Sequence, residues 1–370
     1  MKVGVSYLGS RVSQINPEKS LEDFLINRFG KQLYLTFFKS YTEKVWGTKC
    51  EDISAEWGAQ RIKGLSLTTA VKHFVKKTFA KKEEGGIAQK NTDTSLIERF
   101  LYPKLGPGQL WEHVADKVVA GGGEIHMGWK VNKIHTDGNQ IVSVDAVNDS
   151  GEVRNFGGDY FFSTMPMREL VTAMGDAGTP VPRNVQEVSD GLVYRDFITI
   201  GLLVDKLAVQ EQDGSLLKDT WIYIQEPDVL LGRLQIFNNW SPYLVEPGKI
   251  WIGLEYFCYD TDPIWSMPDD ELKKFGAREV EQIGILHPDA VLDAHVVRVP
   301  KTYPAYFGTY NRFEELREFT DGFENLFTVG RNGMHKYNNQ DHSMLTAMQA
   351  VENIVTVSYT HLTLPTNREV

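Results

Sequence analysis

Apolar positions recur along this chain with two periods, near four and near two, and the places where one gives way to the other outline its elements. Leu21, Phe24, Leu25 and Phe29, then Leu33, Phe37 and Phe38, fall three and four apart, which predicts helices broken near Gly30. Another helix is predicted from about Gln109 to Ala120, stopped by Gly121-Gly122-Gly123. Short alternating runs over Glu124–Met127, Lys130–His135 and Gln140–Ala146, punctuated by Asp137-Gly138 and Asp149-Ser150-Gly151, predict a β-meander. Tyr160–Met167 reads as a buried strand running into a Pro-stopped turn. Runs over 195–204, 221–224, 231–237 and 250–256 predict a mostly antiparallel sheet. An amphipathic helix over 269–286 and a strand over 295–300 follow. Lys301–Tyr306 and Tyr310 then read as an aromatic loop.

The pattern is densest in chemistry near the C-terminus. Leu326–Val329 reads as a short buried strand that stops at Gly330-Arg331. After a polar loop, Asp341 is placed to cap a helix whose Met344, Leu345, Met348, Val351 and Ile354 recur at helical spacing. Such a unit brings a guanidinium and free helix amides to one place, which suits an anionic or electron-rich ligand. The same pattern also fits an ordinary strand–loop–helix with a surface arginine.

Composition narrows the class. At 370 residues the chain can hold two domains and a sizeable core. A formal charge of -10 argues against a general nucleic-acid binder. The longest apolar runs, such as 197–204, are too short to span a bilayer, and residues 1–10 lack a signal core. Cys50 and Cys258 are the only cysteines and have no metal-ligand spacing, so a reducing, cytoplasmic setting is expected. Residues 76–95 mix acids with lysines and read as an exposed loop rather than a basic site. His335 and His342, in a polar loop, read as solvated.

Gly330-Arg331, with Tyr337 and Asp341 at a helix start, resembles the C-terminal flavin segment of the amine-oxidase-type FAD proteins. Within them the chain is most similar to UDP-galactopyranose mutase, collinearly from about Leu21 to Val355. The resemblance implies FAD as cofactor, with Gly330-Arg331 approaching its diphosphate and the helix start at Asp341, His342, Ser343 and Met344 facing the flavin ring. It also implies that Val131 lends its backbone to the adenine. Tyr41-Thr-Glu-Lys-Val-Trp-Gly47 is similar to a segment lining the mutase active site, which brings Trp46 near flavin and substrate, with Tyr41 and Lys44 close by. Arg61, Arg233 and Tyr337 complete the implied site, the two arginines as contacts of a substrate diphosphate. Val45 stands where the mutase pattern has Gln, and Lys63-Gly64 where it has Pro-Val. Read without the family, Trp46 fits plain core, and Arg61 and Arg233 fit salt-bridge partners.

The expected fold is α/β (α+β): the remainder of an FAD-binding Rossmann-type domain, a helical segment and a mostly antiparallel substrate-domain sheet. The expected division is 1–120 as the helical substrate-side segment, 121–167 with 322–355 as the FAD domain, and 168–321 as the substrate domain. No G-x-G-x-x-G occurs, so the Gly-rich βαβ unit that opens such a domain is expected to be missing. Residues 356–370 break the helical pattern and resemble a translated sequencing adaptor, hence a non-native tail. In this form the chain is expected not to hold FAD tightly and to be inactive.

Three functions follow. The first is a UDP-galactopyranose mutase-like flavoenzyme acting on a nucleotide sugar through reduced flavin. The alternative is an oxidoreductase of the amine-oxidase or protoporphyrinogen-oxidase kind, favoured by an aromatic pocket without paired arginines. The third is a non-catalytic remnant. A small-molecule substrate, no nucleic acid and no membrane span are expected, while nothing in the sequence indicates an oligomeric state.

Overall fold

The computed structural model describes residues 2–55, 58 and 101–356. Arg61, the 76–95 loop and the 357–370 tail lie outside them. Helices and strands alternate through two compact units, Met1–Gly121 with Asp196–Pro300, and Gly122–Arg195 with Lys301–Val370. Residues 168–195 and 301–321, assigned above to the substrate domain, therefore pack with the second unit.

In the first unit, helix Leu21–Phe29 buries Leu21, Phe24, Leu25 and Phe29, as their spacing predicts. Ser20 and Asp23 form a reciprocal capping box at its start. It stops at Gly30, whose φ of +82° favours glycine and where a Cβ would meet the Tyr7 backbone at 2.8 Å. The chain then turns into helix Lys39–Trp46. The sheet has five strands in the order Trp221–Tyr223, Arg233–Ile236, Ile250–Cys258, Leu192–Val204 and Val291–Gly308. Its first three neighbouring pairs are antiparallel. Alternate residues Ile198, Ile200, Leu202 and Val204 point into one core with Leu234, Ile236, Ile252 and Leu254. Helix Asp269–Gln282 closes over that core at Gly276, where a Cβ would lie 3.0 Å from Leu254 and 3.1 Å from Ile200.

Two expectations are corrected here. Lys301–Tyr306 is not a loop but part of one 18-residue strand, Val291–Gly308. Its place at the sheet edge tolerates Pro300 and Pro304, which lack a ladder N–H. Glu124–Met127 alternates yet forms no strand, and Met127 is 85% exposed; the meander is instead Trp129–Asp137, Gln140–Asn148 and Val153–Gly157.

The second unit packs this meander on helices Met167–Asp176, Arg183–Asp190 and Phe313–Asp321 through Ile134, Ile141, Leu170, Met174 and Leu316. Strand Phe161–Ser163 pairs in parallel with Leu326–Thr328. The buried Asn325 side chain joins the two structures. Its Oδ1 accepts from the Ile141 N–H, and its Nδ2 donates to the carbonyls of Ile141 and Asp159. Helix Gln340–Thr356 buries Thr346 and Ala350; Asp341 lies inside its first turn rather than at the cap. No helix among the described residues is long and apolar enough to cross a membrane.

Leu254→Ala, which empties a fully buried site under the helix, should lower unfolding stability by about 2–5 kcal/mol in urea titration.

Candidate functional site

The C-terminal unit is organised by the end of strand Phe161–Ser163. The Ser163 carbonyl accepts from the Val329 N–H at 3.0 Å, which directs the chain across that strand end. Gly330 follows with φ +74°, its N–H donated to Thr346 Oγ1 of the last helix at 3.1 Å. One turn on, Gly333 lies so close that a Cβ would overlap the Ser163 carbonyl oxygen. Gly330 thus answers a backbone angle, and Gly333 a close approach.

Behind this crossing lies a cavity of about 290 Å³, lined among others by Val131, Val144, Phe161, Ser163 and Glu169. Val131 and Ser163 thus face one cavity, and Ser163 is the residue on which the Gly330 turn is seated. The Ser163 hydroxyl is buried with no hydrogen-bond partner, and the Glu169 carboxylate accepts from Lys301 Nζ at 2.6 Å. Periodicity gave no sign of Ser163 or Glu169 as lining residues; strand pairing across distant sequence brings them here.

Arg331 does not project freely. Its Nε and Nη2 donate to the Asn338 carbonyl at 2.9 and 2.6 Å, and Nη1 donates to the Thr302 carbonyl at 3.1 Å. The guanidinium also lies 4.4 Å from the Tyr337 ring centroid and 5.4 Å from that of Tyr303. Those two rings stack at 11°. Tyr337 donates its N–H to the Tyr306 hydroxyl. At the helix start, Ser343 Oγ donates to Asn338 Oδ1 at 2.8 Å, His342 Nδ1 lies 3.2 Å from Asp341, and Met344 is exposed.

His335 corrects the expectation of a solvated loop histidine, because it is fully buried. Its Nε2 donates to the Ala305 carbonyl, and rings of Tyr194, Tyr310 and Phe313 surround it. That tautomer leaves Nδ1 an acceptor with no partner. Burial holds its pKa down to about 4. The tyrosine-rich run 303–310 was the one hint in the sequence of such a cage.

The other implied residues belong to the first unit. Trp46 is 4% exposed, and its carbonyl accepts from the Tyr259 hydroxyl. Lys44 donates to the carbonyls of Ile224 and Leu231, and burial lowers its pKa. Arg233 is buried and ion-paired with Glu255, which also accepts from Gln235 Nε2. Burial raises the Glu255 pKa, and the Arg233 charge opposes the rise. The rings of Trp221 and Phe257 flank the Arg233 guanidinium at 4.6 and 4.8 Å. Beside them Tyr223 is half exposed and meets Tyr41 edge-on at 4.9 Å.

A family profile described as flavin containing amine oxidoreductase matches residues 11–342. Among solved structures, the chain is similar to a reduced UDP-galactopyranose mutase, with a TM-score of 0.74 and 20% identity over 96% of this chain and 71% of that one. A candidate protoporphyrinogen oxidase from Exiguobacterium sp. 255-15 gives 0.64 and 15% over 96% and 72%. Putrescine oxidase bound to putrescine gives 0.55 and 10% over 92% and 68%. At such identities these likenesses show the fold alone.

Keeping His335 neutral stabilises the fold fully above its ordinary pKa of 6.5. As pH falls toward 4 the unfolded chain binds the proton first, so that stability is lost, by about 3 kcal/mol across the window. Urea stability should therefore fall more steeply between pH 6.5 and 4 in the parent protein than in His335→Gln; parallel slopes would refute this. Gly333→Ala should cost about 1–3 kcal/mol, because backbone at Ser163 has to move.

Proposed function

This chain belongs to the flavin containing amine oxidoreductase family, whose cofactor is FAD, and from that membership we propose an oxidoreductase acting on an organic substrate that carries a planar or apolar group and no diphosphate. The residues of the second unit fit the cofactor. The Gly330 turn, the partnerless Ser163 hydroxyl and the cavity beside Val131 provide a small-residue turn, a polar handle and room for a ring, with Gly333 holding that turn against Ser163. We assign Val131, Gly330, Asp341, His342, Ser343 and Met344 to that side. When bound, FAD supplies a two-electron acceptor; the protein's part is binding, orientation and exclusion of water.

The Arg233–Glu255 pair carries the choice of reaction. A substrate diphosphate needs net positive charge, and this pair offers none because its charges cancel inside the sheet. What the neighbouring surface offers is ring faces, from Trp221, Tyr223 and Tyr41. Ring faces favour stacking with a planar or apolar group. The buried Trp46 then serves as packing, and Tyr337 as a wall of the cofactor loop.

A second reading, a mutase-like reaction on a nucleotide sugar, is supported by the similarity to UDP-galactopyranose mutase over nearly the whole chain. In it Arg61 would supply the diphosphate contact.

The product of the whole open reading frame should bind FAD and absorb in the visible. Anaerobic amines or porphyrinogen-type reductants should bleach that absorption, while UDP-sugars given to the reduced protein come back unchanged. A ring-isomerised UDP-sugar would overturn the oxidoreductase in favour of the mutase-like reading. A protein that stays colourless with added FAD would overturn both.

A further inference from the structure

We infer that Arg331 is a positioning residue for the cofactor site, acting through Asn338 on the start of the last helix rather than by pairing with the FAD diphosphate. The inference rests on the family's flavin and not on either reaction. Three guanidinium nitrogens donate to main-chain carbonyls, two bonds to Asn338 and one to Thr302. An arginine so engaged, with Tyr337 and Tyr303 packed about it, has committed three of its five N–H donors to the protein's own backbone.

The chain of contacts continues from there. Asn338, whose carbonyl Arg331 holds, accepts the Ser343 hydroxyl through its side chain in the first turn of helix Gln340–Thr356. The Asn339 carbonyl accepts the Ser343 N–H at 3.2 Å. On the other side Asn332 Nδ2 donates to the Lys301 carbonyl at 2.9 Å. Arg331 thus ties the glycine turn, the strand at Thr302 and the helix start into one piece. Arg331→Lys does not restore it, since one ammonium cannot reproduce a rigid fork spanning two carbonyls.

The test compares Arg331→Lys and Arg331→Met with the parent, using the product of the whole open reading frame. Melting is followed after FAD is stripped, FAD affinity is measured across a salt series, and the visible spectrum of bound flavin is recorded. A positioning role predicts four results. Both cofactor-free variants should melt roughly 2–4 °C lower. Their FAD affinity should fall by about 10-fold, the size of one lost charged hydrogen bond. The dependence of affinity on salt should match the parent's, since no charge contact to the cofactor is lost. The flavin spectrum should change as the helix start loses its hold. A direct diphosphate contact predicts unchanged melting of the stripped protein and a shallower salt dependence, and that result would overturn the inference. Lower melting with unchanged affinity and spectrum would overturn it too, leaving Arg331 a purely structural residue.

Discussion

Everything in the C-terminal unit depends on how closely two pieces of backbone approach at Ser163. The Val329 amide bonds to its carbonyl, and Gly333 lies against the same oxygen with no room for a side chain. Parallel pairing of Phe161–Ser163 with Leu326–Thr328 brings the chain there, and the buried Asn325 amide locks the pair to the meander. If the contact loosens, the Gly330 turn loses its seat and Arg331 its bond to Thr302. The cavity beside Val131 would open as well, since Phe161 and Ser163 form part of its wall. A hydrogen bond of ordinary strength matters here because so much is built on its position.

The Arg233–Glu255 pair shows the opposite economy of charge. Two ions held in the sheet pay desolvation on both sides, so the pair is weak evidence for stability. Removing one partner is another matter, because it strands a buried charge. Burial already favours protonated Glu255, and the guanidinium beside it opposes that. The same proximity that restrains Glu255 removes Arg233 as a source of net charge for a ligand.

Local pattern explains much of this fold. The alternation of Ile198, Ile200, Leu202 and Val204 and the helical spacing of Leu21, Phe24, Leu25 and Phe29 state which faces are buried, and the structure buries them. Membership of the flavin family is legible in Gly330-Arg331 and in the order of segments behind it. Register is what local pattern lacks. Arg233 faces Glu255 only because two strands pair at those positions, so neither residue announces the other. His335 looks polar from its neighbours in sequence and is buried by residues 22 to 30 places upstream and by Tyr194. Pro300 and Pro304 suggest a break, yet an edge strand accommodates them. Lys301, within that strand, takes a left-handed φ of 52°.

Each unit is assembled from stretches that are far apart in the chain, and this bears on synthesis. Phe162 and its partner Phe327 are 165 positions apart (327 minus 162). At ribosomal rates Phe162 is made about 10–30 s before its partner. During that interval the apolar Phe161-Phe162 edge has no partner strand, and the meander forms without Asn325 to hold it. The newborn chain therefore passes through a long window in which this apolar edge is open to other chains. Slow growth temperature and an available chaperone should govern how much of this protein a cell recovers folded.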